Sequence, residues 1–234
     1  MSTILRREIK AYFDSPIGYI ILAAFWALAG WYFYVSVLYT ATAELRNVYN
    51  AMGTISVFLI PLMTMRMFSE DKRLHTEQAL LTAPLSLWDL VLGKFLSGVI
   101  IYAINISIVL VYGLTVSVFA QVEWPVTIGI FIGMILYGST MIAIGMYISS
   151  LTENQIIAAI GTFGVLMAEG LTDMLAQVVG PGPIQTFLYA ISFGDRFYDF
   201  TLGVIMLKDV VFFLSVQFFF CYLTVRVFER RRYQ

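Results

Sequence analysis

Long uncharged stretches alternate with short charged ones along this chain. Residues 15–43, 47–65, 95–122 and 124–152 contain no Asp, Glu, Lys or Arg. A helix needs about 20 apolar residues to cross the hydrocarbon core of a bilayer, so each of these stretches holds one crossing. A fifth runs over 155–178 and carries Glu169 and Asp173. A sixth covers 204–227, with Arg226 snorkelling to the interface. The expected spans are 17–39, 47–66, 92–120, 126–150, 155–178 and 204–227. Residues 174–194 are uncharged too, but Gly180-Pro181-Gly182-Pro183 interrupts them, and two prolines among two glycines break a helix. Span 5 therefore ends there, and a short helical hairpin dips back toward the outer leaflet before span 6. Backbone at that depth must be covered by protein or water. The pattern predicts an all-α polytopic membrane protein, with residues 1–234 forming one transmembrane domain.

Charge sets the orientation. With both ends in the cytoplasm, 11 of the 14 Lys and Arg residues are cytoplasmic and only Arg46, Arg196 and Lys208 lie outside. The reverse orientation inverts this bias and violates the positive-inside rule. An even number of spans fits both ends on one side. The first apolar run is also longer than the roughly 7–15 residues of a signal-peptide core, so it is expected to be a retained span.

Composition agrees with this picture and narrows the chemistry. The chain is 60% hydrophobic and 12% charged, with a mean hydropathy of +0.84, whereas a soluble domain carries about 25% charged residues. Cys221 is the single cysteine and His75 the single histidine, which excludes an intrachain disulfide and a Cys- or His-cluster metal site. The one Gly-Lys pair, Gly93-Lys94, is followed by Phe95 and lacks the upstream glycine of a phosphate-binding loop. Catalysis by this chain alone is not expected. It is expected to bind no cofactor and no nucleic acid, so energy for any work must come from a partner.

Two charged segments flank the first three spans. In residues 2–16, Leu5, Ile9, Tyr12, Phe13 and Pro16 share one helical face, with Arg6, Arg7, Lys10 and Asp14 elsewhere. Such a helix lies in the headgroup plane, either as a functional element or only as a topogenic anchor. The segment between spans 2 and 3 places Glu70, Asp71, Lys72 and Arg73 just below the membrane. A short amphipathic helix follows over residues 76–81, stopped by Pro84. Two readings fit it: a helix docking in a groove on another protein, or a solvated loop with a topogenic charge cluster.

Three blocks carry a resemblance to a known family. They are Leu5-Arg6-Arg7-Glu8-Ile9-Lys10-Ala11-Tyr12-Phe13-Asp14-Ser15-Pro16, then Pro61-Leu62-Met63-Thr64-Met65-Arg66 through Leu80-Leu81-Thr82-Ala83-Pro84 to Gly93-Lys94-Phe95, and Ser192-Phe193-Gly194-Asp195-Arg196-Phe197 through Gly203 and Asp209 to Arg231. Together they resemble the ABC-2 type permeases, specifically the gliding-motility and copper-site-maturation branch. The chain departs from the family at His75-Thr76-Glu77-Gln78, where many members read Gly-Thr-Leu-Glu.

The resemblance implies an elbow helix at 2–16 and two permease copies side by side, as a homodimer or related heterodimer. It also implies a separate ABC ATP-binding subunit holding ATP and Mg, in the bacterial cytoplasmic (inner) membrane. The helix between spans 2 and 3 would be the coupling helix, with Thr76, Gln78, Leu80, Leu81, Thr82 and Pro84 transmitting motion and Glu70, Asp71, Lys72 and Arg73 leading into it. The expected function is a permease subunit that couples ATP hydrolysis to movement of an unidentified substrate. The alternative is a mechanical transmitter acting on an extracytoplasmic partner without moving a solute.

Ionisable residues within spans are functional candidates. Glu169 and Asp173 lie four apart on one face of span 5. Glu169 either lines a polar path, meets a partner helix, or holds the outer hairpin through its carboxyl; Asp173 is nearer the interface. Asn105 and Gln217 are expected to hydrogen-bond between helices, and Gly129 and Gly133 to permit close helix packing.

Overall fold

The alternation of apolar and charged stretches becomes an alternation of helices and turns. A computed structural model describes residues 2–40, 42, 45–74 and 86–232, and these are helical with no strand among them. Helix α1 (Ser2–Asp14) leads into α2 (Pro16–Phe33), whose last turns widen into a π-helix at Tyr34–Leu38. Then come α3 (Arg46–Thr64), the short α4 (Ser69–Arg73), α5 (Leu87–Ile106), α6 (Ile108–Ser117), α7 (Trp124–Leu151), α8 (Gln155–Val178), α9 (Pro183–Ile191), α10 (Phe193–Thr201) and α11 (Leu207–Arg232). Six helical segments among the described residues are long and apolar enough to cross a membrane: Pro16–Leu38, Arg46–Arg73, Leu87–Ser117, Trp124–Leu151, Gln155–Val178 and Leu207–Arg231.

Local chemistry sets the boundaries. Ser15 caps α2, its hydroxyl accepting from Ile17 N, and Pro16 opens the helix at a position where its missing N–H costs nothing. Asn154 caps α8 in the same way through Ile156 N and Ile157 N. Helix α8 stops at Val178, just before Gly180-Pro181-Gly182-Pro183, and α9 and α10 follow as two short helices. The third crossing is broken at Ser107, between α5 and α6. Trp26 Nε1 from α2 donates to the Asn105 carbonyl at 3.0 Å beside that break. Helix α5 begins at Leu87, earlier than hydropathy places the span, because Asp89 and Lys94 sit within the helix. Trp88 stacks on Phe218 of α11, with ring centroids 5.9 Å apart, and holds this first turn to the bundle.

Helix α7 is the centre of the bundle and packs against α3, α5, α8, α10 and α11. It is apolar all round, as a helix without a solvent face should be. Glycines make room for its neighbours. A Cβ at Gly138 would stand 2.1 Å from the Tyr102 ring, one at Gly145 2.3 Å from Thr64 Oγ1, and one at Gly133 2.5 Å from Phe200 Cβ. The Gly129–Gly133 pair thus admits α10 and the turn after it: a Cβ at Gly129 would lie 3.2 Å from Gly203 Cα. Gly203 itself has φ +76°, a left-handed conformation that glycine adopts without penalty. The large apolar side chains left exposed concentrate on α2, α8 and α11, the faces available to lipid.

This packing separates two glycines of the same type. Gly138→Ala should lower thermal stability in detergent, because overpacking a filled core costs about 1–3 kcal/mol. Gly164→Ala, where nothing lies within 4 Å, should be neutral or raise stability by up to about 1 kcal/mol through helix propensity. Scanning fluorimetry of the two purified variants checks both; equal effects would remove the close-packing role of Gly138.

Candidate functional site

Polar chemistry gathers at both ends of the bundle. At the end carrying α1 and the close of α11, the centre is Lys94 on α5, 2% exposed. An unpaired ammonium in such a place costs several kcal/mol, and two carboxylates pair it. Lys94 Nζ lies 2.8 Å from Asp71 Oδ2 on α4 and 3.2 Å from Glu8 Oε2 on α1. It also stands 5.2 Å from the centroid of the Phe68 ring, which packs against Phe228 of α11 at 4.7 Å. One charge therefore joins α1, α4 and α5, and its aromatic neighbour reaches α11.

Helix α7 completes this platform. Ser149 Oγ accepts from both Phe68 N and Ser69 N at 3.1 Å and donates to Met65 O at 3.2 Å. A side chain from a distant helix thus caps the start of α4, satisfying backbone groups that the α3–α4 turn leaves open. Lys72 is buried and donates to Ser150 O, and Arg66 Nε pairs with Glu70 Oε2 at 3.3 Å. Of the residues expected to lead into a coupling helix, Glu70, Asp71, Lys72 and Arg73 form α4 itself. Thr76, Gln78, Leu80, Leu81, Thr82 and Pro84 lie outside the described residues.

At the opposite end, Glu169 Oε1 accepts from Phe193 N at 2.8 Å, and Asp173 accepts from the Ser192 hydroxyl. Ser192 Oγ accepts in turn from Asp195 N at 2.9 Å, capping α10. Both carboxylates of α8 thereby hold the α9–α10 junction. Arg196 on α10 reaches Asp209 Oδ1 of α11 at 3.1 Å and Ala190 O of α9 at 2.9 Å, and lies 4.0 Å over the Phe212 ring. Asp209 is fully buried. Burial, with Asp173 and Asp199 nearby, pushes the Asp195 carboxyl above its ordinary range, against the pull of Lys208 and Arg196.

The two amides within the spans behave differently. Gln217 Nε2 donates across to α7, to Ser139 Oγ at 2.8 Å, Thr140 Oγ1 at 3.1 Å and Leu136 O at 3.2 Å. Asn105 corrects the expectation of an interhelical side-chain bond: its Nδ2 donates to Ile101 O of its own helix at 2.9 Å. The interhelical bond is made by its backbone carbonyl, which the break at Ser107 leaves available to Trp26. Sequence reasoning passed over Lys94, Glu8 and the Arg196–Asp209 pair. The available signal was a lysine inside the expected span 92–120, which demands a partner.

Polar side chains of the described residues thus link helices at both ends of the bundle. The family described as "ABC-2 family transporter protein" matches residues 16–207. The chain belongs to that family. Among curated proteins it is similar to the "Probable multidrug ABC transporter permease YbhR" of Escherichia coli (strain K12) and to the protein of the same name in Escherichia coli O157:H7. Each is 27% identical over 135 residues, covering 52% of this chain and 36% of the relative. The chain thus spans little more than a third of the length of these relatives.

Two sets of substitutions test how the ends are held. Lys94→Met should cost about 3 kcal/mol, the low end for breaking a buried ion pair, because it takes one partner from each of Asp71 and Glu8 while Glu8 keeps Arg7. In the double variant with Asp71→Asn the loss should be smaller than the sum of the single losses, by about 1–3 kcal/mol; strict additivity in thermal unfolding would dissolve the pair. At the other end, Glu169→Gln keeps an acceptor for Phe193 N and should retain most stability. Glu169→Leu should lose about 1–3 kcal/mol and loosen α9–α10, read as faster amide exchange at residues 192–197.

Proposed function

We propose that this chain is the membrane-spanning permease subunit of an ABC transporter, driven by ATP hydrolysis on a separate ATP-binding subunit. Membership of the ABC-2 family over residues 16–207 carries this reading. The absence from the sequence of a phosphate-binding loop is in keeping with ATP and Mg being held by the partner. The chain would act as one transmembrane domain beside a second permease copy, identical or related, in the bacterial cytoplasmic membrane with both termini inside. Within the family we assign it to the gliding-motility and copper-site-maturation branch on the three sequence blocks described above.

In this reading residues 76–84 are the coupling helix. The platform around Lys94 gives that assignment its physical sense. A push delivered there enters α4, and Asp71, Lys94 and Glu8 carry it to α5 and α1. ATP-driven closure of the ATPase pair would then favour one permease conformation through differential contacts, as any population shift requires. Glu70, Asp71, Lys72 and Arg73 are the connection rather than the docking surface.

A second reading is favoured by one observation. Helices α9 and α10 are tied by polar bonds to both α8 and α11, so motion of the last two spans would reach the far surface directly. A mechanical transmitter acting on an extracytoplasmic partner would use that linkage without moving a solute. ATP-dependent solute flux in proteoliposomes would eliminate the pure transmitter.

The coupling assignment is tested by replacing Leu80 and Leu81 with Glu, and Pro84 with Ala, in the chain co-expressed with its ATPase. Permease-stimulated ATP hydrolysis should fall to the level of the ATPase alone while the chain remains monodisperse. Unchanged co-purification and stimulation would show that the ATPase pushes elsewhere.

A further inference from the structure

Beside the Lys94 platform lies a cleft of about 140 Å³ between the α1–α2 turn, α3 and α5. Met63, Met67, Ile101 and Ile142 give it an apolar lining that Thr64 and Ser97 interrupt, and Glu8, Arg66 and Glu70 add charge. Gly98 keeps the floor open: a Cβ there would meet Ile142 Cγ2 at 3.1 Å and Met67 Cε at 3.3 Å. An apolar void of roughly 150 Å³ holds a group the size of benzene. This one therefore takes a few methylenes or one ring, with a polar group left beside the charged residues.

The unfilled hydrogen-bonding capacity defines that polar group. The two carboxylates are already engaged, Glu8 by Arg7 at 2.6 Å and Lys94 at 3.2 Å, and Glu70 by Arg66 at 3.3 Å. Two buried atoms lining the cleft have spare capacity: the Tyr12 hydroxyl has no hydrogen-bond partner among the described residues, and Arg66 Nε has its 3.3 Å ion pair with Glu70 but no hydrogen bond of good geometry. Burial raises the Tyr12 phenol to about 12, so it keeps its proton at neutral pH. The Tyr12 hydroxyl is thus a donor awaiting an acceptor, and beside it stands a guanidinium whose Nε–H is poorly aimed at its own carboxylate. Buried donors are normally satisfied.

We infer that this cleft binds the apolar segment of an amphiphile whose head is an anionic oxygen acceptor, a carboxylate or phosphate ester, placed against Tyr12 and Arg66. The chemistry is shared by free fatty acids and bilayer phospholipids. The site stands whether or not an ATPase drives the chain. It differs from the lipid-exposed faces of α2, α8 and α11 in being recessed and in offering directed donors.

The test uses the full chain in nanodiscs with two photoreactive probes, a fatty acid carrying a diazirine in its alkyl chain and a phospholipid bearing the same acyl chain. Adducts are mapped by mass spectrometry. Labelling should concentrate on Tyr12, Met63 and Met67 relative to the exposed Phe218 and Phe219 of α11. Ala11 lines the cleft yet is exposed on α1, so Ala11→Trp should block the cleft while leaving the fold intact, cutting cleft labelling at least tenfold with the α11 adducts unchanged. Tyr12→Phe, which conserves volume, and Arg66→Gln should each lower it several-fold. Labelling by the fatty acid alone identifies a free acid as the ligand, and labelling by the phospholipid identifies the bilayer as the source. Cleft labelling no greater than on α11, or untouched by Ala11→Trp, would overturn the site. So would labelling that falls with Ala11→Trp but ignores both Tyr12→Phe and Arg66→Gln, since the acceptor head would then have no role.

Discussion

The ammonium of Lys94 is the interaction on which the charged end of this protein depends. Burying it alone would cost more than any single apolar contact nearby could offset. The fold therefore brings Glu8 and Asp71 to it from segments distant in sequence, 3.2 Å and 2.8 Å away. Ion pairs of this kind contribute less net stability than their geometry suggests, because desolvation offsets the attraction. Their strength as constraints is different: removing one partner is costly, so α1, α4 and α5 are held together more firmly than their apolar contacts require. Helix α1 is consequently part of the bundle, and Ile4 is one of its buried residues.

The same constraint explains the shape of the α3–α4 turn. Four residues without regular helix separate Thr64 from Ser69, and their backbone donors would be stranded beside apolar helices. Ser149 of α7 accepts two of them. The most buried helix thus polices the turn that leads toward residues 75–85, just as its Gly138 and Gly145 set how closely α5 and α3 approach. Sterics and hydrogen bonding converge on α7: it is the reference against which the other crossings are placed.

What could be read from the sequence follows the range of each force. The six crossings were legible because hydropathy is summed over about 20 residues and is insensitive to any one of them. The end of α8 was legible because Gly180-Pro181-Gly182-Pro183 is a local covalent constraint. Gln217 was legible in kind, since an amide in a span must find a partner. The inner face of α1 was only half legible: periodicity selected Leu5 and Ile9, whereas Ile4 is the buried residue, on a helix that the Glu8–Lys94 pair ties to α5. Asn105 failed for a similar reason. Its side chain could satisfy itself within its own helix, and the break at Ser107 that frees its carbonyl has no signature in composition. Pairings such as Lys94 with Glu8, or Arg196 with Asp209, depend on which helices become neighbours, and one sequence does not encode that in any local pattern.

The two ends are built on different chemistry, and this difference bears on how the chain would work under the proposed reading. At the α9–α10 end, Glu169 and Asp173 bind a backbone N–H and a hydroxyl, short directional bonds that fix a cap in one pose. At the α1 end, Lys94 sits between two carboxylates on separate helices and can retain charge compensation while its distances to them change. A directional cap resists small displacements, whereas an ammonium shared by two acids tolerates them and still keeps the three helices joined. Under that reading, motion received near α4 would pass through the Lys94 cluster without exposing an unpaired charge. The cleft between α1, α3 and α5 lies among the elements that such a motion must shift, so an amphiphile seated against Tyr12 and Arg66 would bind one spacing of those helices better than another. By linkage, its occupancy would then bias the platform as strongly as the platform biases its binding.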